Sequence, residues 1–236
     1  MSPKAGARTG LMTRFVPLSY EIDPDAPGWP GNPTYSWEQV SSIADGEVAN
    51  LGVLHLCDHF GSHLDAPNHF NGQGPKIADV PLDRFVYDRP RLVEVTKVDR
   101  ELITREELEA QDAIVREADL LLIRSGWSRI RSDDPERYAA RGPGVSPLAC
   151  EYLIEQPGLK AIGLDFVSLA SYDRLDPEGI EAHRILCGVG RDDRYVIIIE
   201  DIDLSRYPAE TQRVYAIPLF AARADSSPCT VFAEVA

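Results

Sequence analysis

The chain has 236 residues, of which 44% are hydrophobic, and a formal net charge of −14. This length and composition suit one domain, residues 1–236, with a sizeable core. The acidic balance argues against nucleic acid and anionic membranes as partners, because both would repel it. The four cysteines are far apart and form no C-x-x-C pair, which indicates free thiols in a reducing compartment.

No segment reaches the roughly 18 uninterrupted apolar residues that a membrane span requires. Residues 1–16 lack the apolar centre of a signal peptide and are expected to form a flexible N-terminus. We therefore expect a soluble protein in the cytoplasm.

The predicted elements begin after a turn-rich segment. Residues 23–33 hold four prolines and two glycines, which precludes a helix or inner strand and predicts an ordered loop or a disordered tether. A capping box at 104–107 predicts a helix to about Val115, and Ser146 before Pro147 predicts a helix through Glu155. Helices and strands together indicate an α/β fold, with strands expected, in chain order, at 53–57, 92–95, 120–123, 161–166, 195–199, 214–220 and 229–235.

The most informative pattern is H-x3-H-x-D-x3-H, formed by His59, His63, Asp65 and His69. In an extended strand, side chains an even number of residues apart share a face, so the first three can converge on one ion. Two histidines and a carboxylate are typical ligands of a catalytic divalent metal, with positions left for water and substrate. One more protein ligand would close the site, so we assign His69 as general base and acid.

Three further polar residues, His55, His183 and Glu200, lie outside this pattern. His55 lies outside the repeated spacing and is interpreted as a surface or core residue. His183 stands alone downstream, and its spacing favours neither a structural nor a functional role. Glu200 ends an apolar strand, where an unpaired charge is costly, so it requires a partner such as a metal ion or a metal-bound histidine.

The run HFGSHLDAPNHF, from His59 to Phe70, resembles the H-x-G-T-H-x-D-x-P-x-H signature of the cyclase-like metal-dependent hydrolases. This superfamily includes bacterial kynurenine formamidases and isatin hydrolases. Ser62 and Asn32 stand where that pattern usually has threonine and aspartate. Further resemblances follow in chain order at PGWPGNP (27–33), LIRSGW (122–127), GVS (144–146), GLDFVS (163–168), AHRIL (182–186) and IPL (217–219).

The resemblance implies an α/β fold of the swivelling β/β/α type, assembled as homodimers or homotetramers. It also implies one or two divalent ions per subunit, zinc or manganese. The implied metal ligands are His59, His63, Asp65, His183 and Glu200, with His69 as the catalytic residue. The interval before Glu200 is longer than the pattern expects, with an inserted turn at 188–194, so Asp201 remains an alternative to Glu200.

The implied activity is hydrolysis of an amide-type C–N bond in a small molecule, either an N-formyl arylamine or a cyclic amide such as a lactam. Trp29, Phe60 and Phe70 are candidate substrate-binding walls because they lie beside the motifs, and each could equally be plain core. Two other classes stay open at this point. One is a metal-dependent cyclase, dehydratase or lactonase acting on a polyketide-like molecule, and the other is a non-enzymatic metal-binding protein.

Overall fold

A computed structural model describes residues 15–235. The predicted flexible N-terminus falls mostly on residues 1–14, outside the described part, whereas residues 15 and 16 belong to a strand. The strands are β1 (Phe15–Pro17), β2 (Tyr35–Ser41), β3 (Leu51–Leu56), β4 (His63–Asp65), β5 (Val86–Tyr87), β6 (Pro90–Glu94), β7 (Leu102–Ile103), β8 (Leu120–Arg124), β9 (Gly144–Val145), β10 (Ala161–Leu164), β11 (Ile197–Glu200), β12 (Thr211–Pro218) and β13 (Ser226–Val235). The α-helices are α1 (Arg105–Glu109), α2 (Asp112–Glu117), α3 (Pro135–Ala140), α4 (Pro147–Ile154) and α5 (Ile180–Leu186).

The α/β class is confirmed, and every predicted strand overlaps an observed one. The capping box at Thr104 and the Ser146 cap both form. The single helix predicted from Thr104 to Val115 is instead two short helices, because the backbone of Gln111 leaves the helical region at φ −118° and ψ 25°. The segment 23–33 is an ordered loop, and its Trp29 packs against the core.

The main sheet runs in the order β5-β12-β13-β4-β11-β10-β8-β6, with β1 paired to β13. Strands β6, β8, β10 and β11 are parallel, whereas β4 is antiparallel to both of its neighbours, β11 and β13. The two ends of this order, β5 and β6, are joined by only Asp88 and Arg89. The sheet therefore curls until its edges nearly meet.

Alternate residues of each strand face two different cores. On β11, Ile198 packs in the core covered by the helices, where Leu153 of α4 and Leu186 of α5 also lie. Its neighbours Ile197 and Ile199 pack in the second core, enclosed by the curled sheet. Because side chains alternate along a strand, the residues of β11 in step with Ile198 point toward the helices.

Strands β2 and β3 form a separate two-stranded hairpin, residues 35–56, which we call the hairpin arm. Its inner packing is limited to cross-strand contacts such as the Trp37 ring, which lies over Gly52. Seven large apolar side chains of the arm are at least 41% exposed, namely Trp37, Val40, Ile43, Val48, Leu51, Val53 and Leu54. Among the described residues, no helix is long and apolar enough to cross a membrane.

Candidate metal centre

The sheet register brings three of the predicted site residues together. His63 is paired with Glu200, and Asp65 with Ile198, across β4 and β11. All of them therefore share the face that Ile198 turns toward the helices, while Leu64 and Ile199 between them face the inner core. His63 Nε2 lies 3.1 Å from Glu200 Oε2 and 3.8 Å from Asp65 Oδ1.

The other predicted ligands arrive from outside the sheet. His59, in the loop before β4, places its Nδ1 atom 3.1 Å from Asp65 Oδ1. His183 lies on α5, which packs over this face, and its Nε2 atom is 3.9 Å from Glu200 Oε1. The Phe70 ring stacks on the His183 ring with centroids 4.5 Å apart. Residues from two distant parts of the chain thus meet in one cluster.

Backbone carbonyls orient two of these imidazoles. His63 Nδ1 is 2.8 Å from the Gly61 carbonyl oxygen, and His183 Nδ1 is 2.7 Å from the Gly179 carbonyl oxygen. A carbonyl oxygen can only accept, so each Nδ1 carries the proton and donates it. Each Nε2 therefore faces the carboxylates and, once unprotonated, can bind a metal ion, which is the arrangement of a metal-ligating histidine.

The cluster contains buried polar atoms without a well-formed hydrogen bond. They are His63 Nε2 and both carboxylate oxygens of Asp65, on residues that are 3% and 2% exposed. Glu200 Oε2 lies 3.1 Å from His63 Nε2 and His59 Nδ1 lies 3.1 Å from Asp65 Oδ1, but neither contact is aligned as a hydrogen bond. Atoms of this kind are costly to bury unless a cation satisfies them. The mixed nitrogen and oxygen donors therefore fit a divalent metal ion.

Electrostatics within the cluster agree with this fit. Burial alone would raise the pKa of Asp65, but the neighbouring His69 and His59 lower it below its usual range. Burial alone would lower the pKa of His63, yet its interaction with Glu200 raises it. His183 differs, because burial dominates and lowers its pKa. In the absence of metal, protons on His63 and His59 would hold the carboxylates together.

Asp225 is a site residue that the sequence analysis missed. Its Oδ2 atom lies 2.8 Å from His69 Nδ1 and 3.3 Å from His59 Nε2. Hydrogen bonds from these two imidazoles hold the pKa of Asp225 well below its usual range. No motif pointed to it, since Asp225 immediately precedes β13, far along the chain from the histidine run.

Glu200 and Asp201 point in different directions. Glu200 faces His63 and His183, as described above. Asp201 adopts a left-handed backbone with φ 52° and forms a two-pronged ion pair with Arg131, at 2.8 and 2.7 Å. Glu200 is thus the carboxylate that lies in the cluster, and Asp201 belongs to a separate buried ion pair.

A cavity of about 190 Å³ opens onto the cluster. Trp29 and Phe70, two of the candidate substrate-binding residues, line this cavity. Phe60 does not: it is 1% exposed and packs against Gly28, so its predicted position at the substrate wall is corrected to a buried one. The remaining lining is Asn32, His59, His63, His69, Val167, Ser168, Leu175, His183 and Glu200.

Comparison with known proteins identifies the family. Residues 16–171 match the Cyclase family, described as "Putative cyclase". A kynurenine formamidase of Geobacillus thermodenitrificans is 28% identical over 223 residues, covering 92% of this chain and 96% of the relative. One of Bacillus mycoides is 29% identical over 217 residues, covering 92% of this chain and 95% of the relative.

Solved structures share the fold. Isatin hydrolase A from Labrenzia aggregata, bound to benzyl benzoate, superposes with a TM-score of 0.80 at 24% identity, covering 94% of this chain and 93% of that one. A protein described as a potential metal-dependent hydrolase with cyclase activity gives a TM-score of 0.69 at 24% identity, with 93% and 96% coverage. The chain therefore belongs to the cyclase family of metal-dependent hydrolases.

Proposed function

We propose that this protein hydrolyses an amide-type C–N bond in a small, uncharged aromatic amide, using a divalent metal held by the cluster. The relatives include a kynurenine formamidase and a potential metal-dependent hydrolase with cyclase activity, and the chain covers 96% of each. The observation that carries the proposal is the set of buried atoms on His63 and Asp65 that lack a well-formed hydrogen bond. They belong to a cluster that lines a partly aromatic cavity through residues such as His63, His183 and Glu200.

The residues that would hold the metal are His59, His63, Asp65, His183 and Glu200. Two groups of potential ligands lie side by side, His59–Asp65–His69 and His63–Asp65–Glu200, and a cluster of this size supports one or two ions per subunit. Zinc or manganese suits these donors. Bound there, the metal would lower the pKa of a water molecule and polarise the scissile carbonyl.

His69 is proposed as the general base and acid. Its Nδ1 atom is engaged by Asp225, so its Nε2 atom, 4.0 Å from Asp65 Oδ2, carries the free lone pair. The His69 side chain is 23% exposed, and it lines the cavity where a substrate carbonyl would lie. Nε2 can accept a proton from the attacking water and return it to the leaving nitrogen when the C–N bond breaks.

The cavity walls favour a compact aromatic substrate. Trp29, Phe70, Val167 and Leu175 provide apolar surface, and Asn32 with Ser168 provides polar contacts at the side. Among the described residues that line the cavity, none is lysine or arginine. A carboxylate on the substrate would lack a cationic partner among these lining residues, so a neutral aryl formamide or a cyclic amide fits better than a substrate carrying an amino-acid group.

The test combines metal analysis with a substrate panel. Protein purified without added metal should contain zinc or manganese, and it should hydrolyse isatin and N-formylaniline faster than N-formylkynurenine, with a mass gain of one water for the ring-opening reaction. Ring closure or dehydration without net uptake of water would instead support the cyclase alternative, which the family description favours. Stoichiometric metal without turnover of any amide, lactam or lactone would refute the proposed hydrolase function.

We also propose that the hairpin arm packs against a second copy of the chain in a homodimer or homotetramer. An isolated two-stranded hairpin is marginally stable in water, so its exposed apolar side chains need cover. A standard interface buries roughly 800 Å² of each partner, and seven large side chains that are 41% to 99% exposed present an area of that order. The arm begins just after the Trp29 loop and ends just before His59, so a partner there would lie beside the cavity.

The cellular location and excluded partners stay predictions. The four cysteines are free, three of them buried, which supports a reducing compartment such as the cytoplasm. The expectation that neither nucleic acid nor membrane is a partner continues to rest on the net charge of −14.

A further inference from the structure

We infer that Asp225 is a positioning residue that fixes the orientation of two site imidazoles through a single carboxylate oxygen. Asp225 Oδ2 is 2.8 Å from His69 Nδ1 and 3.3 Å from His59 Nε2. The two rings lie side by side, with centroids 4.2 Å apart. This inference rests on the proposed role of His69 as the base.

Asp225 determines which ring nitrogen of His69 is free. An ionised carboxylate only accepts hydrogen bonds, so His69 must place its proton on Nδ1 to donate to Asp225. The Nε2 atom, on the Asp65 side, then keeps its lone pair. A free imidazole exchanges between its two tautomers and rotates, and either change would remove the base from the reacting water.

The same oxygen orients His59 in a matching way. His59 Nε2 faces Asp225, and its Nδ1 atom faces Asp65 at 3.1 Å. Both rings therefore lie between the two carboxylates, with Asp65 on the inner side and Asp225 on the outer side. A carboxylate behind a ligating histidine is the common arrangement that fixes the tautomer and raises the basicity of the ligand.

The Asp225 carboxylate is itself held by the sheet. The main-chain carbonyl of Asp225 accepts a hydrogen bond from the Ala66 N–H at 2.9 Å. The next residue, Ser226, donates from Oγ to the Leu64 carbonyl at 3.0 Å and is in register with Asp65. Asp225 is thus tied to the strand that carries Asp65, so the sheet sets the position of Asp225 relative to Asp65.

The experiment replaces Asp225 by asparagine, which keeps the size of the side chain but loses its charge and one acceptor. We expect kcat to fall about 10–100-fold, the usual cost of losing such a partner, while KM changes less than about threefold and the metal content stays at the wild-type value. Asp58→Asn is the matched control. Asp58 is another acidic side chain close to His59 and Asp225, and among the described residues its carboxylate makes no hydrogen bond to His69. It should therefore change kcat less than about threefold.

Two readouts separate positioning from a merely structural role. In a double-mutant cycle, Asp225→Asn should cost nothing further in a His69→Ala background, because the two residues act as a unit. In the zinc-loaded protein, ¹H–¹⁵N spectra of the histidine side chains should show the proton of His69 on Nδ1 in the wild type and a substantial Nε2–H population in Asp225→Asn.

Several results would overturn the inference. The first two are additive losses of kcat in the double-mutant cycle and an unchanged His69 tautomer in Asp225→Asn. Loss of bound metal in Asp225→Asn would instead make Asp225 a ligand. An equal loss of kcat in Asp58→Asn would show that only local charge matters. If the wild-type protein hydrolysed no substrate at all, the proposed function would fail, while the tautomer measurement would still decide the role of Asp225.

Discussion

Replacing His63 by alanine tests the core of the proposed site. His63 is 3% exposed, and its Nε2 atom lies between Asp65 and Glu200 at 3.8 and 3.1 Å. The substitution removes the one imidazole that contacts both carboxylates. His69→Ala is the informative contrast, because the proposed base should be dispensable for holding the metal.

The expected loss of affinity can be estimated from the number of ligands. Structural zinc sites bind with roughly 10–16 kcal/mol across four ligands, or about 3 kcal/mol for each. Losing one ligand should therefore weaken binding by about 100-fold or more. In the metal-free protein, His63→Ala also removes a cation from between two buried carboxylates, which should lower the free energy of unfolding by about 3–5 kcal/mol.

The assay is metal analysis after dialysis against a chelator that the wild-type protein survives. His63→Ala should lose its metal, His69→Ala should keep it while kcat falls about 10²–10⁴-fold, and His55→Ala, whose side chain is 63% exposed on the hairpin arm, should match the wild type in both respects. Circular dichroism before dialysis checks that each variant is folded. A folded His63→Ala protein with wild-type metal content would refute the site, and metal loss in His69→Ala would make His69 a ligand.

Three further predictions address pH, assembly and stability. Burial alone would lower the pKa of His59, but its interactions with Asp225 and Asp65 raise that pKa to about 11. Protonated His59 therefore stabilises the metal-free fold fully below the ordinary pKa near 6.5 and less as pH rises toward 11. Metal binding near neutral pH should release this proton and strengthen with pH, and calorimetry in buffers of different ionisation enthalpy that found no proton release would contradict the prediction. Trp37→Ser on the hairpin arm, at a site 52% exposed, should shift the oligomer toward monomer in light scattering, whereas Leu82→Ser, at a site elsewhere that is 68% exposed, should not. An unchanged mass for both variants would argue against the arm as interface. Asp201→Asn should lower the free energy of unfolding by about 3 kcal/mol in urea titrations because it breaks the buried pair with Arg131, and a loss below about 1 kcal/mol would show that the pair contributes little.

The histidine run could be identified from the sequence as a candidate metal site because its ligands are close together in the chain and regularly spaced. The even spacing of His63 and Asp65 follows directly from the alternation of side chains along a strand, and the structure places both on one face of β4. That this strand lies in the middle of the sheet was not predicted. A three-residue strand is too short to leave a hydrophobic pattern of its own.

What depends on long-range pairing was harder to predict. The resemblance to a family suggested Glu200, but the register of β11 against β4 is what separates Glu200 from Asp201. Asp225 could not be found at all, because its partners lie more than 150 residues earlier in the chain. Phe60 was misplaced for a similar reason, since proximity to a motif in sequence does not fix the side of the loop to which a residue turns.

The position of β4 between β11 and β13 also has a consequence for the order of events during biosynthesis. The histidine run leaves the ribosome long before Glu200 and the β13 residues that flank Asp65. A nascent chain that stops before Ser226 has the first ligands without the strand that holds them in place. Metal loading of this protein is therefore expected to follow completion of the sheet. Ribosome-bound chains arrested before Ser226 should not retain zinc, whereas chains arrested well after β13 should retain it.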